Sequence, residues 1–168
     1  MILVDTMQIS LANIVMAQKV YGDEVNEGYV RHMILNSLRN YNKIHKEEYG
    51  EMVLCYDGGN NWRKSVYPEY KANRKKGRES DGKDWDSIFA VLNQIKEEIK
   101  EFLPYKVVET HGAEADDVIA ILCKHYQSEK IMIVSGDKDF IQLQKYENVR
   151  QYSPITKKHV NGVDAVVY

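Results

Sequence analysis

Three short apolar runs, each closing on an aspartate, restrict this chain more than any other feature. Ile2 to Val4 ends at Asp5, Glu51 to Tyr56 ends at Asp57-Gly58-Gly59, and Ile131 to Val134 breaks at Ser135-Gly136 to present Asp137 and Asp139. Short β-branched runs bounded by turn residues predict buried strands. Segments of helical spacing lie between them: an apolar stretch through about Lys19, Asn26 to about Tyr49 with Val30, Ile34, Leu38, Tyr41 and Ile44, and Asp84 to Leu103 with Ile88, Leu92, Ile95, Ile99 and Phe102, stopped by Pro104. Tyr105 to Val108 and Val149 to Tyr152 add two more strands. This alternation predicts an α/β fold with a right-handed, mostly parallel central sheet flanked by helices. Ligands of open parallel sheets bind outside the carboxyl ends of the strands. Taken singly, each aspartate has a plain structural reading: Asp5 starts a helix, Asp57-Gly58 makes a turn, Asp137 sits in a solvated turn and Asp139 caps the next helix. Recurrence at three strand ends is what argues for a site.

A further acidic group, Glu114-Ala115-Asp116-Asp117, opens a helical segment that includes Val118, Ile121 and Leu122 and runs to about Gln127. The helix dipole accounts for one or two acids in a first turn, but not readily for three. If the helix already runs at Glu114, its 100° step turns Glu114 and Asp117 toward the apolar side and Asp116 away; if it starts at Ala115 or later, Glu114 is freed and that facing argument weakens. Seven carboxylates then converge: Asp5, Asp57, Glu114, Asp116, Asp117, Asp137 and Asp139. Such a group does not stay ionised without cations, and magnesium, a hard ion that takes one or two carboxylates and keeps several waters, suits it.

The segment Trp62 to Lys83 has no apolar period, and from Arg63 to Lys83 it carries eight Lys or Arg against three acids in a chain of net charge −2. Aromatics interleaved with cations suit single-stranded nucleic acid, where cations meet phosphates and rings stack on bases; the plainer reading is a flexible, solvated loop. Beside the carboxylates, this segment points to metal-assisted phosphodiester cleavage, with two divalent ions about 4 Å apart.

At 168 residues, 43% hydrophobic and 29% charged, the sequence predicts one ordinary globular domain with a real core. No run approaches a membrane span, and Met1 leads directly into Ile2-Leu3-Val4, so neither export nor anchoring is expected. Cys55 and Cys123, without CxxC spacing, predict buried free thiols, a reducing and hence cytoplasmic compartment, and no structural zinc. His32 and His45 are read as surface or packing residues. From Val160 to Tyr168 the chain turns apolar again and reads as cut off rather than finished.

The runs Cys55-Tyr56-Asp57-Gly58, Tyr67-x-x-Tyr70-Lys71-x-x-Arg74, Glu114-Ala115-Asp116-Asp117 and Ser135-Gly136-Asp137-Lys138-Asp139-Phe140 together resemble the flap endonuclease, or structure-specific 5′-nuclease, family. The stretch Val30 to Ser37 and the Tyr152-Ser153-Pro154 turn with its following lysines are similar to the ribonuclease H branch of T-even bacteriophages. The resemblance covers essentially all of the chain. It implies a PIN-like 5′-nuclease core with a basic arch at about 62–84, dependent on magnesium or manganese. The implied activity is that of a 5′-3′ exonuclease, flap endonuclease and ribonuclease H, acting on RNA–DNA hybrids and 5′-flap DNA in primer removal. By the same resemblance Asp5, Asp57, Glu114, Asp116 and Asp137 surround the catalytic metal, some through water, and Asp117 and Asp139 belong to a second one. This preference for Asp116 overrides the facing argument. Lys71 and Arg74 match contacts to the scissile phosphate, Tyr70 a ring stacking near the displaced base, and Arg63 an accompanying phosphate contact; Lys75 and Lys76 extend the basic arch.

Family members continue well past this length into a helix-turn-helix-like module that grips DNA and supplies further aspartates. Residues 1–168 therefore correspond to the nuclease core alone, a monomer with an incomplete second metal site and a weakened grip on duplex. The resemblance also implies single-strand-binding protein and sliding clamp as partners, reached through segments outside these residues. Two other readings remain at this point: a phosphoryl-transfer receiver domain, which leaves the acidic group and the arch unexplained, and a non-catalytic nucleic-acid-binding module.

Overall fold

The structure is a computed structural model that describes residues 1–22 and 26–162. Its strands are β1 (Ile2–Asp5), β2 (Met52–Tyr56), β3 (Lys106–Glu109), β4 (Ile131–Val134), β5 (Val149–Ser153) and β6 (Lys158–Val160). They form one sheet in the order β3-β2-β1-β4-β5-β6; the first five are mutually parallel and β6 returns antiparallel. The chain moves outward from β1 to β3 on one side and from β4 on the other, so the strand order reverses beside β1. That reversal opens a crevice at the carboxyl ends of β1 and β4.

Both sheet faces are covered, which is why the central strands are apolar without a break. Ile2, Val4, Met52, Leu54, Met132 and Val134 pack on one side with Ile9 and Ile14 of α1 (Thr6–Tyr21), Ile34 and Leu38 of α2 (Glu27–Tyr49), and Ile88 and Ile95 of α5 (Trp85–Phe102). The alternate residues Leu3, Val53, Cys55, Ile131 and Ile133 pack on the other with Val118, Ile119 and Cys123 of α6 (Ala115–His125) and with Phe140 and Leu143 of a 3₁₀ helix (Lys138–Lys145). Asn26 and Asp84 cap α2 and α5 by accepting the backbone N–H groups of Tyr29 and Ser87. Both cysteines are free and buried. No helix among the described residues is long and apolar enough to cross a membrane.

The structure corrects several expectations. The segment 62–83 is not a plain loop: it holds α3 (Arg63–Val66) and α4 (Ala72–Ser80), short helices whose side chains are mostly exposed, which is why no apolar period marked them. Ile121 and Ile44 face outward, 66% and 51% exposed, because each falls off the buried stripe of its helix, whereas Phe102 keeps the stripe's spacing but, as the last residue of α5, is 71% exposed. The histidines match expectation, His45 as a packing residue buried against Tyr152 and Tyr49 and His32 as an exposed surface one. The antiparallel β6 lay hidden behind the polar Ile155–Lys157 turn, where Lys157 adopts a positive φ of 55°. The terminal apolar residues 163–168 lie outside the described residues.

Candidate metal centre and nucleic-acid cleft

The strand-end carboxylates serve first as caps. Asp5 caps α1, accepting the Gln8 N–H at 3.4 Å, and Asp137 caps the 3₁₀ helix, accepting the Asp139 N–H at 2.9 Å. Asp57 reaches across to α6, accepting the Ala115 N–H at 2.8 Å. The structural role and the convergence thus coexist: a helix N-terminus fixes each carboxylate and lends it positive potential. Asp137, rather than Asp139, is the cap; Asp139 is exposed and tied to the group through its backbone N–H.

Convergence is strongest at Asp5 and Asp116. Asp5, 8% exposed, is pushed up to about 6 by burial and, more weakly, by the charges of Asp57 and Asp137, against the hydrogen bonds from Gln8 and Ser135. Burial also pushes Asp116 up to about 6, helped by Asp5 and Asp137. Helix α6 begins at Ala115 with Glu114 as its cap, which weakens the facing argument for Glu114; its buried stripe is Ala115, Val118, Ile119 and Cys123, with Ile121 exposed, and this turns Asp117 away and leaves Asp116 beside Asp5 and Asp137.

Glu114 and Asp117 live differently. Burial raises the Glu114 carboxyl, but the hydrogen bond and charge of Lys71, the Tyr70 hydroxyl and the Arg63 charge outweigh it and hold the group below its ordinary value. Lys71 Nζ lies 2.6 Å from Glu114 Oε1, and the Tyr70 hydroxyl donates to Oε2 at 3.0 Å. Asp117 is lowered chiefly by Arg63, whose guanidinium donates to both of its oxygens at 2.7 Å. Lys71 caps α4 in the left-handed region, φ 57°, a strained conformation for a side chain of its size, beside the carboxylates.

The arch and the acidic edge enclose an open cleft of about 720 Å³ lined by Asp57, Lys64, Tyr70, Lys71, Arg74, Lys76, Arg78 and Glu114, among others. Arg74 and Lys76 are exposed there; the Lys75 side chain lies outside the described residues. Arg63 instead turns into the acidic group, over the rings of Trp62 at 4.9 Å and Tyr70 at 5.7 Å.

Three residues support the site, of which Ser135 opens the Ser-Gly-Asp motif while Gln8 and Gln151 carried no sequence signal. The Ser135 hydroxyl lies 3.1 Å from Asp5 Oδ2 and 3.2 Å from Gln8 Oε1, and it accepts the Asp137 N–H at 3.1 Å. Gln8 Oε1 also accepts the Gly136 N–H at 2.6 Å, and buried Gln151 donates to the carbonyls of Ser135 and Asp137 at 2.9 and 2.7 Å. A glutamine in a helix and another in a strand look ordinary until the fold places them under one loop. One glycine is required by close approach: a Cβ on Gly58 would lie 1.9 Å from the Thr110 carbonyl oxygen, whereas one on Gly136 would meet the tip of the exposed Ile155 side chain at 2.9 Å, which can move aside.

Every donor of the group is a carboxylate oxygen, the chemistry that hard divalent ions prefer. Among the described residues, no three His, Cys, Asp or Glu side chains close on a single point as a ready ligand set.

Residues 1–167 match the family model described as the 5′-3′ exonuclease, N-terminal resolvase-like domain. The chain belongs to this family. Over 143 residues it is 42% identical to ribonuclease H of Enterobacteria phage T4, an alignment taking in 82% of this chain and 47% of that protein. Flap endonuclease Xni of Shewanella sp. (strain MR-4) is 34% identical over 114 residues, 66% of this chain and 40% of the relative. The chain thus spans less than half the length of these two relatives. Among solved structures, T5 5′-exonuclease with bound divalent zinc ions superposes with a TM-score of 0.74 over 96% of this chain and 57% of that one, at 18% identity. A bacteriophage T5 flap endonuclease in a complex with DNA and metal ions gives 0.74 at 17% identity, covering 95% and 57%. These superpositions establish a shared fold, with its mostly parallel sheet.

Proposed function

We propose that residues 1–168 form the catalytic domain, with the arch at 62–84, of a divalent-metal-dependent 5′-3′ nuclease. Its substrates are RNA–DNA hybrids and 5′-flap DNA, cleaved in primer removal during replication. The carrying observation is geometric: carboxylates from different elements, among them Asp5, Asp57, Asp116 and Asp137, gather at one strand edge beneath a basic arch, and Asp5 and Asp116 are both pushed up to about 6 there. Two such acids, one buried and one half-buried, favour an ionic partner over protons at neutral pH.

Asp5, Asp57, Glu114, Asp116 and Asp137 are the residues to hold magnesium or manganese, partly through water, and Asp139 belongs to a second, incomplete position. A bound divalent ion supplies an activated water and polarises the phosphate. The protein's own part is orientation. Lys71 and Arg74 face the cleft where a scissile phosphate meets the carboxylates, Tyr70 offers its ring to a base, and Lys75 and Lys76 extend the cationic track for the strand. The Ser135, Gln8 and Gln151 hydrogen bonds hold the Asp137 loop in place. The setting is the cytoplasm of the cell or phage-infected host, with the chain acting as a monomer; single-strand-binding protein and sliding clamp are the partners this role calls for.

The test is single-turnover cleavage of a 5′-labelled flap and a 5′-labelled primer hybrid by the 168-residue chain in magnesium, manganese or chelator. Metal-dependent release of short 5′ products is expected. Metal-independent binding without any product, even at enzyme excess, would favour the non-catalytic binding module.

A further inference from the structure

We propose that Asp117 anchors the arch instead of holding metal, and that Arg63 is the cation it grips, so that the pair positions Tyr70 and Lys71 over Glu114. The inference rests on the nuclease reading above, in whose family pattern Asp117 sits with a second metal and Arg63 with a phosphate.

The geometry leaves Asp117 little capacity for another partner. Its Oδ1 accepts Arg63 Nη2 at 2.7 Å; its Oδ2 accepts Arg63 Nη1 at 2.7 Å and the Glu114 N–H at 3.0 Å. A two-pronged guanidinium–carboxylate pair is directional as well as strong, and it leaves neither prong free for a phosphate. The neighbouring Asp116 shows the contrast. It accepts no hydrogen bond among the described residues, whereas both oxygens of Asp117 are taken by the Arg63 guanidinium. One step around the helix separates an acid with a resident cation from an acid without one.

Arg63 is placed to act as a strut. It is the first residue of α3, and its N–H donates to Asn61 Oδ1 at 2.9 Å, while the Trp62 N–H donates to the Gly112 carbonyl at 2.8 Å. The start of the arch is thus pinned by its backbone to the loop before α6 and by Arg63 to α6 itself. Arg63 Nη1 also lies 3.3 Å from Glu114 Oε2, the oxygen that accepts the Tyr70 hydroxyl. Releasing the strut lets Tyr70 and Lys71 drift from the place where phosphate and carboxylates meet, a displacement that costs rate more than binding.

The experiment compares Arg63→Ala, Asp117→Asn, their double variant and Asp116→Asn, each in the full chain. Asparagine at 117 can still accept the Glu114 N–H, so the α6 cap survives. Three readouts are taken: trypsin nicking within 71–78 without nucleic acid, the magnesium-induced rise in Tm, and single-turnover flap cleavage with Kd measured separately. Arg63→Ala and Asp117→Asn are expected to speed nicking and to slow cleavage by about tenfold or more, with Kd little changed, and the double variant to be no worse than either. Both should keep the wild-type magnesium response, which Asp116→Asn should lose while its arch stays protected. A wild-type nicking pattern in Asp117→Asn together with a lost magnesium response would overturn the proposal, as would additive losses in the double variant. Nicking and metal response are read without substrate, so a failed anchor remains distinct from a chain that does not cut.

Discussion

Asp5 is nearly enclosed, and its folded-state pKa of about 6 lies above the ordinary 3.8. A raised carboxyl binds its proton more tightly when folded, so its stabilising effect is complete below about pH 4 and disappears as pH rises through 6. The metal-free protein should therefore lose on the order of 2–3 kcal/mol through Asp5 alone between pH 4 and pH 7, with Asp116 acting in the same direction. Urea denaturation in chelator across that range checks this; stability that climbs steadily toward pH 7 would contradict the burial argument. Asp137→Asn should keep the fold, since its amide oxygen can still accept the Asp139 N–H, while lowering single-turnover cleavage by about a hundredfold or more. Wild-type rates in that variant would remove Asp137 from the site. Lys71→Ala deprives buried Glu114 of its nearest cation, so chemistry should slow more than substrate binding weakens, which separate rate and Kd measurements resolve.

At the scale of elements, the acidic edge depends on two loops joined through their backbones: the Gly58 N–H donates to the Ala113 carbonyl and the Gly112 N–H to the Gly59 carbonyl, both at 2.8 Å. Gly58→Ala forces a methyl group into the Thr110 carbonyl and should destabilise by about 2 kcal/mol or more, displacing Asp57 from the α6 N-terminus. A melting temperature within a degree of wild type would show that these loops can part cheaply. Such contacts mark where sequence reading stopped. The strands, α2 and α5 were legible because apolar period and caps agree there, and Asp5, Asp57 and Asp137 stood out by recurring at strand ends. Asp57-Gly58 read as an ordinary turn because a close backbone approach leaves no trace in residue type. The choice between Asp116 and Asp117 hung on which apolar residues of α6 are buried, and Ile121, read as part of the apolar side, is exposed. The arch helices stayed hidden because α3 and α4 bury little apolar surface, and Gln8 and Gln151 because polar support becomes visible only once distant segments meet.

Over the whole molecule, a net charge of −2 conceals a separation of sign, with carboxylates gathered at the strand edge and Lys64, Lys71, Arg74, Lys76 and Arg78 lining the cleft beside them. Nucleic-acid binding should therefore weaken with salt despite the negative total, with a log–log slope of about −3 to −4, and neutralising both Arg74 and Lys76 should flatten it by about 1 to 2. A slope near zero would place the contact elsewhere. The central claim is that Asp5 and Asp116, unlike Glu114 and Asp117, have no side-chain cation bonded to them among the described residues and take a divalent ion instead. Its most direct test is the melting temperature of wild type and Asp116→Asn during a magnesium titration at neutral pH, without nucleic acid. The account predicts a wild-type temperature that rises with magnesium, and a variant that begins higher, relieved of a buried charge, and scarcely moves. Equal rises in both proteins, or no rise in wild type, would contradict it.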